Sequence, residues 1–306
     1  MDIFGLVGTS ENMKKLHRLI SKVAFSRHPV LIMGESGTGK ELVARAIHRL
    51  SAWHDEPFVP VDCGALAPTL IESELFGHIK GAFTGANQPR HGLLVAARQG
   101  TIFLDEVGEL PSELQPRLLR ALQEHEIRPL GSNQHMRFEA RVIAATNRDL
   151  EVGVENGTFR RDLFYRLNVV TIKLPPLRER KEDIPVLVET FLARFPTSEV
   201  QVSDEVLGRL MTYDWPGNVR ELENCIERAV TLGSTPSIRL QDLPSRLSCG
   251  FGRTSGSGQH ISTLQALERH AIRQALQAVK GDRVRAAKVL GIGKTTIYRK
   301  LKEYGI

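Results

Sequence analysis

The sequence predicts an α/β fold with a parallel sheet, followed by a smaller helical domain and a basic tail. Three observations predict it. Short apolar runs alternate with helical patterns through the first half of the 306 residues. From about Ile184 onward the periodicity becomes helical throughout. A stretch dense in Gly and Ser at 248–259, SCGFGRTSGSGQ, then separates the body from a last apolar-periodic segment. Such a stretch buries too little to order itself and reads as a flexible linker.

The strands come in order. VLIMG at 30–34 reads as a strand entering a Gly-rich loop, and ELVARAIHRLS at 41–51 as the helix after it. FVPVDC at 58–63, TIFLDE at 101–106 and RVIAATN at 141–147 are further short apolar runs separated by helical stretches, the pattern of a parallel sheet buried on both faces. The segments IPVLVETFLARF, DEVLGRLMTYDW and NVRELENCIERAVTL supply the helical domain.

Apolar residues make up 41% and charged residues 25%, enough for an ordinary globular core. No apolar run reaches the roughly 18 residues of a membrane span, and the N-terminus lacks a basic segment followed by an apolar one, so neither a membrane nor a secretory route is expected. Cys63, Cys225 and Cys249 are scattered without metal-ligand spacing, which suits reduced thiols in a cytoplasmic protein. Positive charge is concentrated in the tail. Residues 261–306 hold ten Lys and Arg against three Asp and Glu, a surplus larger than the chain's net +6. The body is therefore near neutral, and only the tail is expected to meet nucleic acid.

Gly34, Glu35, Ser36, Gly37, Thr38, Gly39 and Lys40 fit a phosphate loop between a strand and a helix. Backbone amides curl around phosphate oxygens there, the helix N-terminus adds its positive dipole end, and Lys40 reaches the outer phosphates. The Ser or Thr that usually follows as a magnesium ligand is Glu41. Asp105 and Glu106 end a later strand, where a metal ion and an attacking water are held; Asp105 would act through Mg2+ and Glu106 would polarise the water. Asp62 ends the second strand, within expected reach of a hydrogen bond to Glu106. Thr146 and Asn147 close the next strand, as a sensor of the terminal phosphate or as the start of a turn. Arg160, Arg161 and Arg166 precede another strand. Their spacing fits fingers reaching a neighbouring subunit's site and fits surface ion pairs equally.

At this point a resemblance is specific. GAFTGA at 81–86, ELFGH at 74–78, GESGTGKE at 34–41, PPLRER at 175–180 and WPGNVREL at 215–222 are similar to the signatures of the sigma-54-dependent enhancer-binding activators, a branch of the AAA+ ATPases. The resemblance covers about 5–247 and then the tail. It implies a three-layer AAA+ α/β domain at 1–173, a helical lid at 174–247, a linker at 248–262 and a Fis-type helix-turn-helix at 263–306. Glu41 is expected within that family's own loop and, with it, among the nucleotide-binding residues, and Thr38 and Lys40 would bind the phosphates. Leu6, Val7 and Gly8 would line the adenine pocket of ATP, Asp62 would couple Glu106 to the 81–86 loop, Arg160 and Arg166 would be the fingers in trans, and Arg220 would sense the terminal phosphate. Gly81, Ala82, Phe83, Thr84, Gly85 and Ala86 would meet sigma-54: the glycines give a movable tip, and Phe83 is an aromatic that a loop does not expose without use.

In the tail, Ala286, Ala287, Leu290, Ile292, Ile297 and Leu301 read as the packing face of two crossed helices joined at a Gly-containing turn. Lys294, Thr295, Thr296, Tyr298, Arg299 and Lys300 are left facing outward on the second helix, for a major groove. A helix at 264–279 would support dimerisation. The resemblance implies an ATPase that forms a homo-oligomer, from dimer to hexameric ring, binds enhancer DNA and remodels polymerase carrying sigma-54. The ATPase pattern starts almost at once, at Phe4, without the receiver or sensing domain with which many of that family begin; a separate controlling protein, a constitutive core and a fragment of a longer chain all fit this start.

Overall fold

The computed structural model describes residues 2–65, 67–195, 201–233, 237–248 and 282–304, with Glu268, Ile272, Ala275, Leu276 and Val279. The expected linker at 248–262, Ser248 aside, lies outside the described residues, as do Cys249 and most of the helix expected at 264–279. The chain divides into two compact units, Met1–Gly250 and Phe251–Ile306.

The first unit is built on a five-stranded parallel sheet. A short ribbon, β1 (Asp2–Ile3) with β2 (Leu6–Val7), leads into α1 (Glu11–Ala24). There follow β3 (Val30–Met33), α2 (Lys40–Arg49), β4 (Phe58–Asp62) and α3 (Pro68–Phe76). A two-stranded ribbon, β5 (Gly77–His78) with β6 (Arg90–His91), then precedes α4 (Leu93–Ala96) and β7 (Thr101–Asp105). Next are α5 (Gln115–Glu124), a second ribbon of β8 (Glu126–Ile127) and β9 (Met136–Arg137), and β10 (Arg141–Thr146). Helices α6 (Leu150–Glu155) and α7 (Arg161–Leu167) precede β11 (Val170–Lys173). The sheet order is β11-β3-β10-β7-β4.

Alternation along each strand explains why both faces are covered. Leu31, Ile102, Leu104, Val142 and Ala144 belong to one apolar cluster; Val30, Ile32, Phe103, Ile143 and Ala145 belong to the other. Successive side chains of a pleated strand point to opposite faces, so a continuous apolar run needs a helical layer on each side. Parallel pairing matches Thr146 with Met33 and Asp105 with Asp62. The strands therefore end at one edge, and the loops leaving them share that edge.

The lid is helical as expected: α8 (Ile184–Leu192), α9 (Asp204–Thr212) and α10 (Asn218–Leu232) close over Trp215, Leu177, Leu210 and Ile226. Trp215 is fully buried, its indole N–H donating to the Leu210 carbonyl at 2.8 Å. It sits at φ 50, a backbone that a bulky residue adopts only when packing holds it there. Cys63 and Cys225 are buried free thiols, and burial pushes them up to about 12 and about 11. Among the described residues no helix is long and apolar enough to cross a membrane.

In the second unit, helix Arg283–Val289 is capped by Asp282, whose carboxylate accepts the Val284 and Arg285 amides, and helix Lys294–Tyr304 follows after a turn at Gly291. Ala286, Ala287, Ile297 and Leu301 are buried with Ile272 and Ala275, and Leu290 and Ile292 are half-buried against them, the packing face read from the sequence.

Trp215→Ala is expected to cost about 3–5 kcal/mol of stability, because an aromatic removed from a closed core leaves a cavity. Urea unfolding followed by far-ultraviolet circular dichroism measures it; a loss under about 1 kcal/mol would contradict the packing described.

Candidate functional site

The loop between β3 and α2 begins where the Gly34 amide donates to the Thr146 carbonyl at 3.2 Å, tying it to β10. Thr38 is buried, and its hydroxyl donates back to the Glu35 carbonyl at 2.7 Å. Gly39 stands at the N-cap of α2 with no side-chain cap, and uncapped first-turn amides are the donors phosphate oxygens take. Lys40 is 7% exposed, and its Nζ donates to the Gly34 carbonyl at 3.1 Å and to Glu106 Oε1 at 3.2 Å.

Glu106 lies one residue beyond β7 at φ 48, ψ 48. That left-handed turn swings its carboxylate between Lys40 and the Asn147 amide, which donates to Oε2 at 3.1 Å. A non-glycine residue held there is the kind of local strain that clusters at working sites. Asp105 Oδ1 accepts the Glu106 amide at 3.0 Å. Burial, helped by the Glu106 and Asp62 carboxylates, holds its carboxyl above the usual range, against the pull of that amide and of Lys40.

Two expectations change here. Asp62 pairs in register with Asp105, but it does not bond Glu106. Its Oδ1 instead accepts the Gly64 amide at 2.8 Å and the Ala65 amide at 3.1 Å. Two ionised carboxylates are both acceptors, whereas the next turn offers amides at once. Glu41 turns outward and pairs with Arg45, one helical turn on, at 2.7 Å.

The lid grips the same loop. Arg178 donates twice to the Glu35 carboxylate, at 2.7 and 2.9 Å. Asn218 is fully buried; its amide nitrogen donates to Glu35 Oε2 and the Ser36 carbonyl, both at 3.1 Å, and its oxygen accepts the Leu177 amide at 2.8 Å. The bonds from Arg178 and then Asn218 hold the Glu35 carboxyl below its ordinary range. The Val219 and Arg220 amides donate to the Gly37 carbonyl at 3.0 and 3.2 Å, and a Cβ on Gly37 would overlap the Gly217 oxygen. The Arg220 side chain reaches Ser36 Oγ at 3.3 Å, and buried Arg180 donates to the Thr38 carbonyl at 3.1 Å. The sequence places Glu35 in the phosphate cradle and does not by its spacing single out Arg178, Arg180 and Asn218. Their presence in the PPLRER and WPGNVREL stretches was the available signal.

Leu6 packs in the body's core and Val7 in the lid's, so β2 lies where the two meet. Gly8 follows against Met13 and Asp183. Asp183, fully buried, accepts the Thr9 and Ser10 amides at 2.6 and 2.7 Å and the Ser10 hydroxyl at 2.7 Å. Arg160 is chelated by Asp162 on the surface, at 3.0 and 2.7 Å. Arg166 donates twice to the Leu122 carbonyl, at 3.1 and 2.6 Å.

The residues 81–86 form the tip of the β5–β6 ribbon. The Gly81 amide donates to the Ala86 carbonyl at 2.9 Å, closing the turn. Gly81 and Gly85 lie at φ 81 and 105, with open space where a Cβ would stand, so the tip turns at both ends on a backbone that suits glycine. Phe83 is 40% exposed, Thr84 is exposed, Ala82 is half-buried and Ala86 is buried. The loop between β8 and β9 braces this ribbon: the Ile79 amide donates to the Leu130 carbonyl at 3.1 Å and the Leu130 amide to the Gly77 carbonyl at 2.8 Å.

In the second unit Lys294, Thr295, Tyr298 and Arg299 are exposed and Thr296 is half-buried. Lys300 departs from the expected outward set. Its Nζ donates to Glu268 at 2.8 Å and to the Tyr304 hydroxyl at 3.3 Å, and the Glu268 carboxylate accepts the Tyr304 hydroxyl at 2.6 Å. A partner 32 residues away in sequence turns it inward.

Three family descriptions match the chain: the sigma-54 interaction domain over residues 6–173, an AAA+ ATPase lid domain over 178–256, and the Fis family of bacterial regulatory proteins over 263–304. The chain is 49% identical over 302 residues to the transcriptional regulatory protein ZraR of Salmonella typhimurium and 46% identical over 312 residues to the regulatory protein AtoC of Escherichia coli. These alignments cover 97% and 98% of the chain and 68% of each relative. Among solved structures, NtrX from Brucella abortus in complex with ADP matches at a TM-score of 0.75 and 35% identity, covering 98% of this chain and 70% of that one. Hsp104 with a nucleotide analogue and casein matches at 0.53 and 17% identity over 76% of this chain and 47% of that one, a likeness of fold alone.

Arg178→Ala is expected to weaken ATP binding about tenfold by loosening Glu35, with little loss of stability because the pair is solvent-exposed. Titration of a fluorescent ATP analogue checks this; unchanged affinity would leave the clamp without a role. For duplex binding, Lys294→Ala is expected to lower the slope of log affinity against log salt by about 0.9, and Lys300→Met to leave it unaltered. Equal slopes for the two variants would contradict the division drawn between these lysines.

Proposed function

Because the chain belongs to the sigma-54-dependent transcriptional activators, with an AAA+ ATPase unit and a Fis-type helix-turn-helix, we propose that it hydrolyses ATP between adjoining protomers of a hexameric ring and uses the energy to drive the Phe83 tip against sigma-54. The closed polymerase complex is thereby remodelled into an open one at promoters served by an enhancer site that the tail binds, in the cytoplasm. The observation that carries the reading is the Lys40–Glu106 pair at 3.2 Å beside Asp105, on the sheet edge from which α3 leads to the tip.

Phosphate competes with Glu106 for Lys40. Once Lys40 turns to the phosphates, the Glu106 carboxylate orients a water and accepts its proton. Mg2+, when bound, neutralises charge on the transferring phosphoryl group, and the hard oxygens of Asp105 suit it. The Gly34–Gly39 amides cradle the phosphates, Leu6, Val7 and Gly8 border the adenine, and Asn147 and Arg220 read the terminal phosphate from body and lid. Glu41 takes no ligand role while paired with Arg45. Arg160 and Arg166 act on the next protomer once released from the Asp162 carboxylate and the Leu122 carbonyl, the first of these being the surface ion pair that the sequence allows equally. Asp62 transmits the change through its grip on Gly64 and Ala65, just ahead of α3. Ala82, Phe83 and Thr84 then meet sigma-54, with Gly81 and Gly85 as hinges and Ala86 as the inner anchor. Lys294, Thr295, Thr296, Tyr298 and Arg299 meet DNA, in bases or phosphates.

Glu106→Gln is expected to lower hydrolysis by a factor of about 100 or more while ATP still binds. Thr84→Ala is expected to hydrolyse ATP and yet fail to open a sigma-54 promoter. Turnover surviving in the first, or open complexes forming normally in the second, would overturn the assignment concerned.

A further inference from the structure

The 81–86 tip turns on left-handed Gly81 and Gly85 and is closed by the Gly81 and Ala86 amides, which donate to the Ala86 and Phe83 carbonyls at 2.9 and 3.0 Å; its aromatic ring is held as well. The His78 and Phe83 rings meet edge to face, with centroids 5.1 Å apart and planes 66° apart. His78 is itself fixed on both sides. Its Nε2 lies 3.0 Å from the Gln88 carbonyl oxygen and its Nδ1 lies 2.7 Å from Ser73 Oγ. A carbonyl only accepts, so Nε2 carries a proton toward Gln88, and Nδ1 pairs with the Ser73 hydroxyl. Ser73 belongs to α3 and is 7% exposed, while Gln88 lies on the returning arm of the ribbon. The imidazole thus ties α3, the outgoing arm and the returning arm together, and presents its edge or face to Phe83. Neighbouring side chains of α3 hold the same region: Glu74 pairs with Arg90 on β6, and Glu72 pairs with Arg117, whose other nitrogen donates to the Arg128 carbonyl of the second ribbon.

We propose that His78 is a positioning residue for sigma-54 engagement: its imidazole, locked between Ser73 and Gln88, holds the Phe83 ring in the orientation that binds. The tip needs such a device. Hydrogen bonds of the turn fix the Phe83 backbone, while the direction of its ring is set by the side-chain contact with His78. Orientation set before contact spares the complex the entropy of setting it on contact. A movement of α3 reaches the Phe83 ring through Ser73 and His78. The inference rests on the reading of the tip as the sigma-54 contact.

The test is capture of purified sigma-54 by the whole chain in the presence of ADP and aluminium fluoride. His78→Asn is expected to weaken capture about tenfold, the scale of one aromatic contact together with the hydrogen bonds that orient it. Combined with Phe83→Leu, it is expected to add nothing to the loss from Phe83→Leu alone, since both remove one contact. A residue that merely supported the fold would add its own loss in that double variant. Ser73→Ala, which removes a hydroxyl from a helix without creating a large cavity, is expected to weaken capture about threefold and keeps the test valid if His78→Asn does not fold. Wild-type capture by Ser73→Ala and His78→Asn, or additive losses in the double variant, would overturn the positioning role. Failure of the unmodified chain to capture sigma-54 would instead overturn the reading of the tip.

Discussion

The ATPase unit depends on one constraint: parallel strands that stop at the same level. Register sets Asp62 beside Asp105 and Thr146 beside Met33, the last strand residue before the phosphate loop. A Gly-rich loop, an acidic pair and a polar turn can then share a few ångströms, although their residues are spread over more than a hundred positions. The Gly34 amide on the Thr146 carbonyl and the Lys40 ammonium on Glu106 are direct results. A register slip in a sheet buried on both faces would exchange the side chains of the two apolar clusters, so packing enforces the alignment that the chemistry needs.

A second layer of organisation joins lid to body through the phosphate loop itself. Glu35 is held by Arg178 and Asn218, Ser36 by Asn218 and Arg220, Gly37 by the amides that open α10, and Thr38 by Arg180. Four consecutive loop residues thus report to the lid. The opposite join lies at β2, where Leu6 and Val7 belong to different cores, and at Asp183, which draws Thr9 and Ser10 to the lid. A ligand that spans these joins is felt by both halves, which is what a two-state ATPase element requires.

The sheet edge also leads to the tip. Asp62 caps the turn before α3, and α3 carries Glu72, Ser73 and Glu74 toward the two ribbons. Rigid secondary structure and hydrogen-bonded side chains connect the acidic pair to a tip that turns on Gly81 and Gly85. The helix-turn-helix unit has a separate core of Ile272, Ala275, Ala286, Ala287, Ile297 and Leu301, so its packing is settled by its own residues.

Much of this was legible from residues alone, because it is local or periodic. Apolar runs marked the strands, the Gly-rich stretch before Lys40 marked the phosphate loop, and helical spacing marked the face from Ala286 to Leu301. The turn that presents Phe83 was legible because glycines bracket an aromatic. What remained hidden depends on partners far away in sequence. The Glu35 carboxylate had no role in the sequence reading, which used that loop for its amides, yet Arg178, 143 residues on, takes it. Lys300 was read as facing DNA, but Glu268 on another helix turns it inward. Asp62 was expected to bond Glu106, but two nearby amides satisfy it first. The sequence by itself determined which segments form strands, loops and helices, because those follow from spacing and from the backbone demands of Gly. Only the tertiary structure decided which charged and polar side chain meets which, because a hydrogen bond or ion pair forms with whatever group the fold brings within about 3 Å, and linear order does not record that distance.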